Sequence, residues 1–144
     1  MNLSSLSDTG LIPFENELKH IETYLSLEKM RFEERLNVIF DVQTKDFAVP
    51  PLSVQPLVEN AVKHGILKKL EGGTVTIKVY ETDNAHVVEI IDDGVGFDAN
   101  SITKDRPHIG MENVRYRLST MCNADLKVTS IIDKGTTAIV TFYK

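Results

Sequence analysis

The chain has few of the residues that define several common classes of protein. Its 144 residues include a single cysteine, Cys122. One cysteine excludes an internal disulfide framework and is typical of a reducing compartment. Cys122 falls in an apolar helical pattern, which favours a small core residue over a nucleophile. The histidines at positions 20, 64, 86 and 108 are scattered along the chain, so they do not form a Cys/His zinc motif.

Basic blocks and long apolar runs are also missing. Lys and Arg total 16 against 21 Asp and Glu, which gives a net charge of -5. A chain without clustered Lys and Arg lacks the electrostatic pattern of a nucleic-acid-binding domain. No apolar run approaches the roughly 20 residues that a membrane-spanning helix needs, and no signal peptide is visible. The length suits one domain with its own core.

Apolar periodicity predicts a mixture of helices and strands. Phe14 to Phe32 has apolar residues at spacings of three and four, which predicts an amphipathic helix with charge on its other faces. Pro50-Pro51 precedes a second helix over Leu52 to Gly65, with Gly65 as its stop, and a third helix begins just after Gly110. Alternating patterns predict strands over 36–42, 74–80, 86–91, 126–132 and 136–143, the last four forming two hairpins. This order favours an α+β fold, a two-layer sandwich with one mostly antiparallel sheet and helices on one face.

Three polar clusters stand out from this pattern. Glu59, Asn60, Lys63 and His64 lie opposite the apolar stripe of the second helix, an arrangement that is also typical of a solvated face with an i,i+4 ion pair. The run from Asp92 to Gly96 follows a strand, where it is either an ordinary turn or a loop that lets a ligand approach the backbone. The third cluster is Gly110 at a helix start, where free N–H groups favour a phosphate.

Together these clusters predict a nucleotide site. An Asp carboxylate accepts a hydrogen bond from an exocyclic amine, and an amide oxygen such as that of Asn60 is a suitable ligand for Mg²⁺. The sequence contains neither a Walker-type phosphate loop nor the H-R-D and D-F-G signatures of protein kinases. The predicted site is therefore not that of a P-loop enzyme.

Four segments resemble the motifs of a known family, and they occur in its order. Residues 56–65, PLVENAVKHG, resemble the N box of the GHKL ATPases and more specifically that of the LytS-type sensor histidine kinases. Residues 92–97, DDGVGF, are similar to the G1 box, and residues 110–118, GMENVRYRL, to the G2 box with its helix. Gly135-Thr136-Thr137 resembles the late G-T element. The leading run 15–36 also resembles this subfamily, so the match covers residue 14 to the end.

The resemblance implies an α/β sandwich that holds ATP between the N-box helix and a flexible lid over residues 98–108. By position, Asn60 would bind Mg²⁺, and Asp92 would accept the adenine amino group with a water that Thr136 also holds. Glu59 would be the base or would position the acceptor imidazole. The other implied site residues are Gly94 and Gly96 at the purine, Gly110 and Met111 at the start of the G2 helix near the phosphates, and Lys63 and His64, also near the phosphates.

The resemblance further implies the catalytic domain of a two-component sensor kinase. Such a domain transfers the γ-phosphoryl of ATP to a histidine on a dimerisation domain, from which a response regulator takes it. The family's Pro-His-Phe-type acceptor motif does not occur here, and His20 lies in a linker-like helix. We therefore expect a cytoplasmic catalytic domain over 14–144, preceded over 1–13 by the tail of a dimerisation or linker segment. Its parent would be a homodimer of a family whose members are often membrane-anchored.

Two alternatives stay open on the sequence alone. A stand-alone GHKL ATPase or an anti-sigma-type serine kinase would share these motifs, although the LytS-like leading helix argues against it. A nucleotide-binding module that has lost catalysis is the second alternative. His108 favours it weakly, because the family usually has glycine two positions before Gly110. The presence of Glu59, Asn60 and Asp92 argues against it.

Overall fold

The computed structural model of the chain describes residues 9–98 and 108–144. Most of the predicted lid and most of the predicted tail lie outside these ranges. The helices and strands in chain order are β1 (Ile12–Pro13), α1 (Phe14–Phe32), β2 (Leu36–Val42), β3 (Ala48–Val49), α2 (Gln55–Asn60), β4 (Gly73–Glu81), β5 (Ala85–Asp92), α3 (His108–Met121), β6 (Ala124–Ile131) and β7 (Gly135–Tyr143).

The five longer strands form one sheet in the order β2-β4-β5-β7-β6. The β2–β4 pair is parallel, and the other three pairs are antiparallel. The strand alternation places Val75, Ile77 and Val79 of β4 on the buried face, where residues of α1, α2 and α3 complete the core. The predicted α+β sandwich, with a mostly antiparallel sheet, is confirmed.

Helix α1 has the predicted bounds, but its charged residues are not all on its outer faces. Glu17 is 1% exposed and Glu28 is 8% exposed. The Oε1 atom of Glu28 lies 3.3 Å from a guanidinium nitrogen of Arg31, which partly compensates its burial. The prediction of charge on the other faces was therefore wrong for Glu17, whereas Glu28 occupies the one gap that the sequence shows in the apolar stripe.

Glu17 fixes where helix α2 begins. Its Oε1 accepts the backbone N–H of Leu52 at 3.0 Å, and its Oε2 accepts those of Val54 and Gln55, both at 3.0 Å. These donors lie at the start of α2, where N–H groups have no partner within the helix. A carboxylate there also interacts favourably with the helix dipole. The side chain therefore holds the start of α2 against α1 across the core.

The predicted start of α2 at Leu52 was three residues early. Leu52 has a φ of 58°, a left-handed conformation that a helix cannot include, and the helix begins at Gln55. Helix α3 differs in the opposite sense, since it begins at His108 and not after Gly110. Gly110 consequently lies in the first turn of α3, where backbone N–H groups have no partner within the helix.

A short two-stranded sheet, β1 with β3, was not predicted. Each strand has only two residues, which is too short to show an alternating pattern in the sequence. Phe47, just before β3, accounts for the packing here: its carbonyl accepts the N–H of Phe14 at 2.8 Å. Its ring stacks on Phe14, with centroids 4.6 Å apart, and on His86, with centroids 4.5 Å apart. This stack closes one end of the core.

We expect Glu17→Gln to lower the free energy of unfolding by about 2 kcal/mol. One amide oxygen replaces two carboxylate oxygens, and an NH₂ group would then face backbone donors that are buried beside it. Urea unfolding followed by circular dichroism measures the change. Glu15→Gln, at an exposed position of the same helix, is the matched control and should change stability by less than about 0.5 kcal/mol. Equal effects of the two substitutions would contradict this role of Glu17.

Candidate functional site

Helix α2 continues beyond Asn60 in two altered turns. A π-helical turn covers Ala61–Gly65, and a 3₁₀ turn covers Ile66–Lys68. Gly65 has a φ of -103°, which is not the left-handed conformation of a helix stop, so that prediction was wrong. The extended helical path places Asn60, His64 and Lys68 along one pocket. π-Helical turns of this kind occur frequently at functional sites.

Gly65 is required here because Asp92 packs directly against it. A Cβ atom at position 65 would lie 2.7 Å from Oδ1 of Asp92. Gly94 approaches even more closely, since a Cβ there would lie 2.2 Å from the carbonyl carbon of Gly65. Such distances are far below van der Waals contact, so both positions need glycine. The close approach brings the end of β5 against the altered turn of α2.

Backbone hydrogen bonds hold the loop after Asp92 from two sides. On the helix side, the N–H of Val95 donates to the carbonyl of Gly65 at 3.2 Å. On the side of the β6–β7 hairpin, the carbonyl of Val95 accepts the N–H of Asp133 at 2.8 Å, and the N–H of Phe97 donates to Oγ of Ser130 at 2.8 Å. The loop therefore has a fixed path up to Phe97.

A pocket of about 150 Å³ lies between α2, the end of the sheet and the start of α3. A cavity on the order of this size accepts a flat ring such as benzene when its lining is apolar. Most of its lining is apolar, and the polar side chains are few, as is usual for small-molecule sites. The residues that line it are Leu57, Asn60, Ala61, His64, Gly65, Lys68, Ile90, Asp92, Val95, Gly96, Phe97, Met111, Thr136 and Ala138.

The Asp92 carboxyl is the most strongly perturbed acid at this pocket. It is 5% exposed, and burial raises its pKa from 3.8 to about 6. Hydrogen bonds from the backbone N–H groups of Gly94 and Thr136 lower the pKa, and the neighbouring charge of Asp93 raises it. The Gly94 bond to Oδ1 measures 2.8 Å. Near neutral pH the pocket therefore presents a buried, ionised hydrogen-bond acceptor.

The opposite wall of the pocket carries the basic groups. Burial lowers the pKa of His64 below its ordinary 6.5, and the positive charges of Lys68 and Lys63 lower it further. His64 is therefore mainly neutral at pH 7. Lys63 pairs with Glu59 at 3.6 Å, and Gln55 donates to the other oxygen of Glu59 at 3.1 Å. These two contacts hold the Glu59 carboxylate in one orientation.

The structure brings most of the predicted site residues together. Asn60, His64, Asp92, Gly96, Met111 and Thr136 all line the pocket. Gly94 lies behind it against Gly65, while Glu59 and Lys63 form their ion pair beside it. Gly110 is in the first turn of α3, next to residues 99–107, which lie outside the described ranges.

Sequence reasoning gave no site role to three residues, of which two line this pocket and one contacts its lining. Lys68 follows His64 by four residues, the spacing of neighbours on one side of a helix. The helix predicted from the sequence ended at Gly65, and Lys68 was therefore not included in the site. Phe97 lines the pocket and packs against the core. Ser130 belongs to β6, 33 residues after Phe97, and no local pattern links the two residues.

Comparison with known proteins identifies the class. Residues 52–144 match the model of the family described as histidine kinase-, DNA gyrase B- and HSP90-like ATPases. The chain is 38% identical to the YwpD protein of Bacillus subtilis over 94% of its own length and 51% of that protein. It is 31% identical to the sensor histidine kinase/phosphatase LytS of Staphylococcus aureus, over 86% of this chain and 22% of LytS.

A solved structure has the same fold. The blue-light activated histidine kinase of Erythrobacter litoralis superposes with a TM-score of 0.68 and 21% identity, over 91% of this chain and 42% of that one. The chain thus belongs to the histidine kinase-, DNA gyrase B- and HSP90-like ATPase family, and over part of their length it is similar to sensor histidine kinases. The predicted recognition as a LytS-type GHKL domain is confirmed.

The matched relatives are longer than this chain. The chain spans about half of the Bacillus subtilis relative and about a fifth of LytS. Within residues 9–98 and 108–144, no helix is both long enough and apolar enough to span a membrane.

We expect the stability of the chain to depend on pH through Asp92. The pKa is about 6 in the folded chain against an ordinary 3.8. The stabilising contribution of the neutral carboxyl is complete below 3.8 and is lost as pH rises through 6. Relative to that of the native chain, the free energy of unfolding of Asp92→Asn should therefore rise by on the order of 2–3 kcal/mol between pH 4 and pH 7.5.

Urea unfolding across that pH range measures the difference between Asp92→Asn and the native chain. Asp83→Asn, in the exposed β4–β5 turn, is the matched control and should follow the native profile. Parallel profiles for the native chain and Asp92→Asn would show that the carboxyl is not perturbed by burial.

Proposed function

We propose that the chain transfers the γ-phosphoryl group of Mg²⁺-ATP to a histidine of a dimerisation domain in the same protein, for relay to a response-regulator receiver domain. The observation that supports this most directly is the pocket itself. Its lining combines a buried carboxyl, that of Asp92, with apolar side chains and with Asn60 and His64 from the polar side of the helical path. An adenine base needs the first feature, and a triphosphate needs the second.

At the adenine end, Asp92 accepts a hydrogen bond from the exocyclic amine. Its carboxylate keeps acceptor capacity beyond the bond from Gly94, because an ionised carboxyl has about four lone-pair sites. Leu57, Ile90 and Ala138 give the ring an apolar surface. Thr136 stands opposite Asp92 in the β5–β7 pairing and lines the same pocket. A water shared by these two residues completes the recognition of the base.

At the phosphate end, the donor set fits a magnesium ion that is held mainly by phosphate and water. Asn60 supplies an amide oxygen at the pocket, and Mg²⁺ prefers oxygen ligands of which the protein gives only one or two. In the described part of the chain, no three His, Cys, Asp or Glu side chains gather as a metal cluster. The positive charge of Lys68 and the backbone N–H of Gly110, which is in the first turn of α3, both interact favourably with the negative charge of a phosphate.

Phosphoryl transfer asks the protein mainly for positioning and charge neutralisation. Bound Mg²⁺-ATP supplies the phosphoryl group and part of the neutralising charge. The chain supplies the pocket that orients the nucleotide and the Glu59 carboxylate. Because Lys63 and Gln55 both hold Glu59, and its side chain is 32% exposed, that carboxylate can meet an incoming imidazole N–H. Glu59 is therefore our candidate for the group that accepts a proton from the histidine or positions it.

The partners follow from the same proposal. No acceptor motif of the Pro-His-Phe type occurs in the sequence, and His20 lies exposed on the outer side of α1. The receiving histidine therefore belongs to a dimerisation domain outside these residues, and the parent protein is a homodimer. A dimerisation domain supplied in trans should acquire phosphohistidine. Robust ATP hydrolysis without that domain would favour a stand-alone ATPase instead.

We expect the native chain to bind ATP and ADP in calorimetric titration. The affinity of Asp92→Ala for both nucleotides should be roughly 10- to 100-fold lower. The substitution removes a hydrogen bond between the base and a charged acceptor. Asp83→Ala, in the exposed β4–β5 turn, is the control and should bind as the native chain does. A folded native chain that binds neither nucleotide would contradict the proposed function.

We expect Asn60→Ala to abolish the gain in ATP affinity that Mg²⁺ gives to the native chain, while binding of metal-free ATP and the fold are retained. The gain should fall tenfold or more, because even loss of outer-sphere partners commonly costs 10–100-fold in metal affinity. Titrations with and without Mg²⁺ measure the difference, and Asn16→Ala on the exposed side of α1 is the matched control. If Asn60→Ala keeps the native Mg²⁺ dependence, the metal assignment is wrong.

A further inference from the structure

Ser130 contacts three residues at the end of the sheet, two of which, Phe97 and Thr136, line the pocket. Its Oγ accepts the N–H of Phe97 at 2.8 Å, lies 3.2 Å from the carbonyl oxygen of Gly135 and lies 2.7 Å from Oγ1 of Thr136. Ser130 and Thr136 are opposite each other in the β6–β7 pairing, and Thr136 is opposite Asp92 in the β5–β7 pairing. Directly opposed residues of antiparallel strands point to the same face. The three side chains therefore form one row across the end of the sheet.

The direction of each hydrogen bond in this row follows from counting protons. A serine hydroxyl has one proton and two lone pairs. Phe97 uses one lone pair, and the carbonyl of Gly135 can only accept, so it takes the Ser130 proton. The 2.7 Å contact is then a hydrogen bond only if Thr136 donates to Ser130. This is the assignment that satisfies all three contacts, as half-buried polar groups require.

The consequence for the pocket is that Thr136 presents only lone pairs to a ligand, because its proton is used by Ser130. Asp92 beside it is also an acceptor. At position 6, an aminopurine offers N–H donors to this pair of acceptors, whereas an oxopurine offers a carbonyl oxygen that neither group can satisfy, so that only its N1–H can donate to one of them. Sites built to bond one polar group reject the analogue that lacks it, because their buried groups are left unpaired.

We propose that Ser130 is a specificity-determining residue, which fixes the Thr136 hydroxyl as an acceptor and so selects 6-amino over 6-oxo purine nucleotides. It acts through Thr136 and is therefore a positioning residue. The proposal rests on the nucleotide-binding function proposed above and assigns its base selectivity to a residue outside the four motifs. Without Ser130, the Thr136 hydroxyl can rotate and donate into the pocket, which a 6-oxo group accepts.

The test compares affinities for ADP and inosine diphosphate, which carries a 6-oxo group. In Ser130→Ala we expect ADP affinity to fall roughly threefold to tenfold, as for loss of one hydrogen bond, and inosine diphosphate affinity to stay constant or rise. The ratio of the affinity for ADP to that for inosine diphosphate should fall by at least the same factor. Ser130→Thr, which keeps the hydroxyl, should retain the native preference for ADP. Thr129→Ala, on the exposed side of the same strand, should leave it unchanged.

A double-mutant cycle separates this role from general damage to the fold. In a Thr136→Val background, Ser130→Ala should cause no further narrowing of the preference, because the hydroxyl that Ser130 orients is gone. Thr136→Val alone should narrow the preference about as much as Ser130→Ala does. If ADP binds to the native chain and the preference is unchanged in both single variants, the Ser130 assignment is overturned while the nucleotide site stands. If the native chain binds neither nucleotide, both proposals fail.

Discussion

The site depends on one steric constraint, the close packing of two glycines between the end of β5 and the altered turn of α2. Gly65 lies against Asp92, and Gly94 lies against the backbone of Gly65. These contacts set the distance between the altered turn of α2 and the end of β5. They bound one side of the pocket, where the spacing is determined largely by backbone atoms. Nearby side chains can rotate, but this spacing cannot change without moving backbone.

The buried carboxyl of Asp92 lowers the stability of the fold and strengthens the binding of a ligand. Removing an ionised group from water opposes folding, and the two N–H groups that bond Asp92 only partly offset this. The same removal strengthens any hydrogen bond that the carboxylate makes with a ligand, since water and bulk dielectric no longer weaken it. A destabilised group at a pocket is thus a common feature of functional sites. Glu17, by contrast, is buried with three donors and serves the fold.

The sequence predicted those features that are encoded locally. The periodicity of α1 gave its observed bounds, and alternation gave each strand of the main sheet to within about two residues. The motif residues Asn60, Asp92 and Thr136 were predicted because each lies in a short, ordered segment. Glu17, Ser130 and the β1–β3 pair were missed, because their partners are distant in sequence and their own surroundings look ordinary. The start and end of α2 were misplaced for a related reason, since tertiary contacts with Glu17 and Asp92 decide them.

The parallel pairing of β2 with β4 has a consequence for how the chain folds. Leu36 pairs with Gly73, so 36 intervening residues, including all of α2, must be looped out before this ladder can close. The hairpins β4–β5 and β6–β7 close loops of only a few residues, so their formation loses much less conformational entropy. The two hairpins should consequently form before β2 docks. On this order of events, the nucleotide pocket is completed late, when the crossover delivers α2 to the sheet.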